Sequence, residues 1–291
     1  MLQIENAFLK VEIDEKGAQL THVLNKQENF DYIWNGTEWP KHAPLLFPAI
    51  GRSTQDSYLI DGQSYPMQQH GFVSDYVFEV AEQSSEKLVL SFTDNDETFK
   101  SYPFHFELLV TFELSGNKLK QVFNVKNLDD QELSYSFGFH PAFNVPIANE
   151  GNFEDYQVVF ETADAALEQF EIKKNPFPYR SGEKIRFNDG AKVLPLTRKI
   201  FEAGLIILNN QIDSVTLNSK SSKHQIKMEK ADFPYFCLWT KEDEDLAFLC
   251  LEPFYGLPDV IDQSQELNQK EGNIHLAAKS EKTLSCTLTF E

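Results

Sequence analysis

The residue pattern predicts an all-β protein, a large antiparallel β-sandwich with few short helices. Three observations lead there: apolar residues recur at every second position, turn clusters separate these runs at hairpin spacing, and helix-period patterns are scarce. The clearest run is His105–Leu114, where Phe106, Leu108, Val110, Phe112 and Leu114 alternate with mostly polar neighbours. One face of such a strand is buried and the other is wet. The turn Ser115-Gly116-Asn117 and a second run, Leu119–Asn127, complete a hairpin signature.

Further hairpins are predicted at Tyr58–Tyr65 around Asp61-Gly62 and at Tyr76–Thr93 around Glu82–Lys87. Single strands are expected at Phe8–Ile13, Leu133–Phe139, Tyr156–Phe160, Ser214–Asn218, Gln225–Glu229, Tyr235–Thr240, Ala247–Leu251 and Leu284–Phe290. A short helix is expected at Thr162–Phe170 and one helical turn at Thr197–Phe201. The turn-rich stretch Lys173–Gly190 reads as a long surface loop. No linker, low-complexity tract or internal repeat interrupts the 291 residues, so one domain over 1–291 is expected. Sheets of this kind pack face to face.

Aromatic residues make up 13% of the chain, with 25 Phe, a composition that favours strands and also suits pockets with flat apolar walls. The formal charge of −19 disfavours nucleic-acid and anionic-membrane partners. Cys237, Cys250 and Cys286 sit among apolar neighbours without a CxxC pair, and read as reduced, buried thiols. With no basic, apolar leader at Met1 and no apolar run long enough to span a bilayer, the cytoplasm is the expected compartment.

Three segments place an ionisable residue where strand logic wants something else. In Gln69-His70-Gly71-Phe72, the glycine lets backbone or ligand come close to His70. In Gly138-Phe139-His140-Pro141, the proline stops strand pairing and holds His140 extended at the end of an aromatic strand, placed to donate a proton into a pocket. In Leu249-Cys250-Leu251-Glu252-Pro253, Glu252 closes an apolar run, and desolvation there raises its proton affinity toward that of a general base. Each has a structural alternative: core histidines bonded to backbone, or a carboxylate held by an Arg or by N–H groups. His70, His140 and Glu252 could also form a two-His, one-carboxylate metal set, but no HxH or HExxH spacing supports it, and neither metal nor cofactor is expected. The chain lacks GxSxG, GxxxxGK[ST] and GxGxxG, which argues against a serine hydrolase, a phosphate loop or a dinucleotide site.

In order along the chain, Leu45-Leu46-Phe47-Pro48-Ala49-Ile50-Gly51-Arg52, Gln69-His70-Gly71-Phe72, Gly138-Phe139-His140-Pro141-Ala142-Phe143, Ile212-Asp213-Ser214-Val215 and Leu251-Glu252-Pro253 resemble the aldose 1-epimerase (galactose mutarotase) family, most of all its LacX-type bacterial branch. The resemblance implies a β-sandwich with a sugar cleft on one sheet and a cofactor-independent isomerase. It implies that Glu252 takes the proton of the anomeric hydroxyl and His140 protonates the ring oxygen. His70 would bond near the anomeric centre, and Arg52 and Asp213 would hold other hydroxyls. Phe137, Phe143, Trp239 and Phe254 are candidates for an apolar platform. The expected substrate is a free aldohexose such as galactose or glucose. Alternatives are a hexose 6-phosphate, a non-catalytic sugar-binding protein, and a glycosidase pairing Glu252 with Asp213.

Overall fold

The alternation of apolar residues becomes nine antiparallel strands in one sheet. From edge to edge they are Val193–Pro195, Tyr156–Glu161, Ser214–Ser219, Ile226–Glu229, Glu281–Phe290, Lys118–Asn127, Phe106–Ser115, Lys87–Thr93 and Glu79–Gln83. The computed structural model describes residues 1–174, 177–209, 211–241, 247–260, 262–263 and 265–291. The predicted central hairpin is present with Leu108 opposite Val125 and Val110 opposite Phe123, and its even-numbered residues from Phe106 to Leu114 are buried.

A second sheet runs Pro178–Arg186, Glu168–Lys174, Leu205–Leu208, Tyr235–Trp239, Phe248–Tyr255, Phe137–Phe139 and Leu45–Leu46, with Ala142–Asn144 also paired to Phe248–Tyr255. Aromatic contacts bind the two sheets: Phe123 meets Phe137 at 4.9 Å between ring centroids, and Phe106 meets Phe47, next to Leu46, at 4.9 Å. One apolar cluster runs from Ile4 to Phe290. A four-stranded sheet formed by Leu2–Glu5, Leu9–Asp14, Gln19–Asn25 and Phe30–Asp31 completes the large elements.

Three expectations change. Thr162–Phe170 is not helical; Glu168–Lys174 is a strand. A helix that short is marginal alone, and pairing with Leu205–Leu208 overrides its Ala and Leu propensity. Lys173–Gly190 is not a loop through most of its length, because Pro178–Arg186 folds back on Glu168–Lys174 with Glu168 opposite Arg186; residues 175 and 176 lie outside the described set. Leu133–Phe139 is two strands, Leu133–Tyr135 in a small sheet with Ile274–Leu276 and Phe137–Phe139 in the second large sheet. The helical turn near Thr197 is present as Arg198–Phe201. A helix at Asp96–Ser101, capped by the Asn95 side chain, had no periodic signal. Among the described residues no helix is long and apolar enough to cross a membrane.

Candidate active site

The strand Phe248–Tyr255 is buried on both faces. Leu249 and Leu251 enter the main core, whereas Cys250, Glu252 and Phe254 alternate onto the opposite face. It continues through Glu252 and Pro253 to Tyr255, so Glu252 lies within the strand rather than at its end.

Its neighbour is broken in two. Phe137 pairs with Tyr255, and Ala142 pairs with Cys250. The register is the same on either side of the break, so His140 falls opposite Glu252. Each residue precedes a proline, Pro141 and Pro253, which removes a ladder N–H and holds the residue before it extended. The strands part locally without losing register. The His140 N–H turns to the Pro44 carbonyl at 3.0 Å, and Leu251 N–H reaches the Pro141 carbonyl at 3.2 Å. The side chains meet on the cleft face, with His140 Nε2 3.3 Å from Glu252 Oε2.

Glu252 is 1% exposed and His140 6%. Burial pushes the Glu252 carboxyl well above the usual carboxylate range and His140 well below the usual imidazole range, helped there by the nearby His70 and Lys41. Glu252 Oε1 and His140 Nδ1 have no hydrogen-bond partner. Trp39 stacks on the His140 ring at 5.1 Å and Trp239 meets its edge at 5.7 Å, walling the pair from two sides.

His70 lies close by, its ring perpendicular to that of His140 at 5.6 Å. It adopts a left-handed backbone (φ 68°), strained for a residue with a side chain. Gly71 follows at φ 74°, where a Cβ would fall 2.0 Å from the Phe47 carbonyl oxygen. His70 and Gly51 exchange two hydrogen bonds: the His70 N–H donates to the Gly51 carbonyl at 2.8 Å, and the Gly51 N–H donates to Nδ1 at 3.1 Å. That pattern assigns the proton to Nε2. Burial, and secondarily the Lys41 charge, lowers the His70 pKa to about 4, so the ring is a neutral donor.

These groups share a cavity of about 430 Å³ with Arg52 and Lys41, and among the described residues Glu252 is the one carboxylate lining it. Arg52 is clamped to Asp56 by Nε–Oδ1 and Nη2–Oδ2 contacts of 2.6 and 3.0 Å, and its guanidinium lies 4.0 Å over the Phe177 ring. Lys41 is exposed and has no ion-pair partner among the described residues. Of the candidate platforms, Trp239 and Phe254 line the cavity, while Phe137 and Phe143 belong to the main core.

The cleft therefore gathers Glu252, His140, His70 and Arg52. Asp213 is not brought to it: the residue is exposed just before the strand Ser214–Ser219 of the other large sheet, and its N–H bonds to the Glu161 carbonyl at 2.8 Å. That position also leaves a two-carboxylate arrangement of Glu252 with Asp213 unassembled. Sequence reasoning missed Trp39 and Lys41, whose stretch Thr37-Glu38-Trp39-Pro40-Lys41 has no period; the only signal was a rare Trp beside a proline. It also missed that Cys237 lies opposite Glu252 on the other neighbouring strand. Among the described residues, the ligand atoms that come within 4.8 Å of one another are those of His140, Cys250 and Glu252 rather than the two-histidine set.

The model of the aldose 1-epimerase family matches residues 1–275. The chain belongs to that family. It is 29% identical over 282 residues to the chromosomal protein LacX of Lactococcus lactis subsp. lactis, covering 92% of each chain. Among solved structures, a galactose mutarotase-like protein from Lactobacillus casei is 38% identical, with a TM-score of 0.95 over 100% of both chains. A galactose mutarotase related enzyme from Lactobacillus acidophilus is 28% identical, with a TM-score of 0.93 over 100% of this chain and 97% of that one. The fold is thus the galactose mutarotase-like β-sandwich.

Proposed function

We propose that this protein interconverts the α and β anomers of a free aldohexose such as galactose or glucose, using Glu252 and His140 as an acid–base pair without a cofactor. The observation that carries the reading is the 3.3 Å contact between two buried ionisable groups that face a sugar-sized cleft and leave polar atoms unpartnered. Ring opening removes the proton from O1 and delivers one to O5, and both oxygens are bonded to C1. One acid and one base side by side can therefore serve both atoms. With a single proton on the pair, Glu252 as carboxylate takes the O1 proton and His140 as imidazolium protonates O5. The C1–O5 bond breaks, leaving an aldehyde and a hydroxyl at C5. Rotation about C1–C2 and attack by O5 on the other carbonyl face then return both protons.

Burial favours the uncharged arrangement of the empty pair, carboxylic acid beside imidazole. Sugar hydroxyls that bond to the pair compensate the charge-separated form. His70 supplies a neutral Nε2–H donor near the anomeric centre, and Arg52 supplies a donor to other hydroxyls. Trp39, Trp239 and Phe254 offer apolar faces to the C–H side of the ring. Glu252→Gln is expected to lose the enzymatic decay of optical rotation of a pure α-anomer, about 10²–10⁴-fold, with the fold unchanged. Full activity in that variant would remove the assignment.

A second reading, a hexose 6-phosphate as substrate, is favoured by Lys41, an exposed cation at the cleft with no ion-pair partner among the described residues. Exchange spectroscopy on galactose, glucose and glucose 6-phosphate separates the two. Sugar binding by calorimetry with no rate enhancement for any of them would instead support a non-catalytic carbohydrate-binding protein.

A further inference from the structure

Beside the cleft, behind the His140–Glu252 pair, lies a thiol that anomer exchange does not use. Cys250 precedes Glu252 by two residues on the same strand, so its thiol shares the carboxylate's face. His140 faces Glu252 from the adjoining strand. One nitrogen, one sulfur and one oxygen thereby come within 4.8 Å of one another, all on buried side chains. An independent observation points to a ligand, since Glu252 Oε1 is buried without a partner.

We propose that His140 Nε2, Cys250 Sγ and a Glu252 carboxylate oxygen form a three-ligand site for a thiophilic divalent cation, best matched by Zn²⁺, and that an ion there excludes the sugar. Zinc takes thiolate at about 2.3 Å and imidazole or carboxylate at about 2.0–2.2 Å in tetrahedral geometry, which sets ligand atoms about 3.2–3.8 Å apart. The 3.3 Å between His140 Nε2 and Glu252 Oε2 already meets that spacing. The open cleft leaves the fourth position to water.

Charge supports the same choice. A divalent cation with one thiolate and one carboxylate is neutral, the state that a dry floor tolerates best. Binding releases one proton from Cys250 and one from Glu252 to solvent. Thiolate ligation selects against Mg²⁺ and Ca²⁺, which prefer oxygen donors. The ion acts as an inhibitor, occupying the pair that ring opening requires.

The blocking of catalysis rests on the anomer-exchange reading; the binding does not, so the first measurement is made without substrate. Co²⁺ titrated into the whole protein is expected to give a saturable thiolate-to-cobalt charge-transfer band that Zn²⁺ displaces. Cys250→Ala is expected to lose the band, while Cys286→Ala and Cys237→Ala keep it. Glu252→Gln is expected to keep the band but bind about tenfold or more weakly. In polarimetric assays Zn²⁺ should inhibit wild type competitively with sugar, and Cys250→Ala should be active and resist it. Should Cys250→Ala fail to fold, Cys250→Ser takes its place, and in it the band must shift or vanish. A band unchanged in the Cys250 variant, a band lost with Cys237 instead, or no saturable binding would overturn the site. Binding as expected with no catalysis by wild type would overturn only the anomer-exchange reading.

Discussion

Asp259 and Lys270 form a buried ion pair 2.7 Å apart beneath the loop that carries Arg52, and His140 and Glu252 form another buried contact of 3.3 Å on the cleft floor. In the first, both carboxylate oxygens have partners: Oδ1 accepts from Lys270, and Oδ2 accepts from the Thr54 N–H at 2.9 Å. Lys270 also donates to Ser53 Oγ at 2.9 Å. In the second, each member retains an unpartnered polar atom. Two groups of equal burial thus have opposite roles. A satisfied pair rigidifies the loop between Gly51 and Asp56, whereas an unsatisfied pair holds bonding capacity for what enters the cleft.

Substitutions should expose that contrast. The largest effect on activity falls on the unsatisfied pair, where Glu252→Gln is expected to remove catalysis while a thermal melt shows Tm unchanged or raised, because an uncompensated buried carboxyl is exchanged for a neutral isostere. Lys270→Met should do the reverse. Leaving Asp259 buried without its cation is expected to cost about 3–5 kcal/mol in denaturant unfolding. Its activity should fall through KM, as Arg52 loses its placement, rather than through kcat. A larger loss in kcat than in stability would blur the distinction.

Gly71→Ala tests the frame around His70 and should cost about 1–3 kcal/mol, because the new Cβ needs a left-handed backbone and meets the Phe47 carbonyl. The smallest effect is expected outside the cleft, at His22, whose Nδ1 lies 2.6 Å from Asp31 Oδ2. That hydrogen bond raises the His22 pKa. A raised folded pKa means the contribution is fully present below the unfolded histidine value of about 6.5 and is lost as pH rises through the folded one. Wild type should therefore lose a small part of its Tm as pH rises above about 6.5, and Asp31→Asn should flatten that slope.

Period-two alternation is a local property, written into each strand by which face is wet, and it made most strands legible from His105–Asn127 to Leu284–Phe290. It failed where both faces are buried or the stretch is polar, as for Leu45–Leu46 and Pro178–Arg186. His140-Pro141 and Glu252-Pro253 were legible for a related reason. An ionisable residue in an apolar run, stopped by a proline, violates strand logic wherever it occurs.

By itself, then, the sequence determined the strand content, the acidic surface and the two proline-stopped residues, all of which depend on neighbours in the chain. Only the tertiary structure decided that these two residues face each other, since Phe137–Tyr255 and Ala142–Cys250 pairing joins segments more than a hundred positions apart. It alone brought Trp39 and Lys41 to the cleft, set Cys250 beside His140 and Glu252, and left Asp213 outside the cleft. The physical reason is register. A strand's pattern says which side chains share a face, but backbone pairing over long range chooses which faces, and which residues on them, come together.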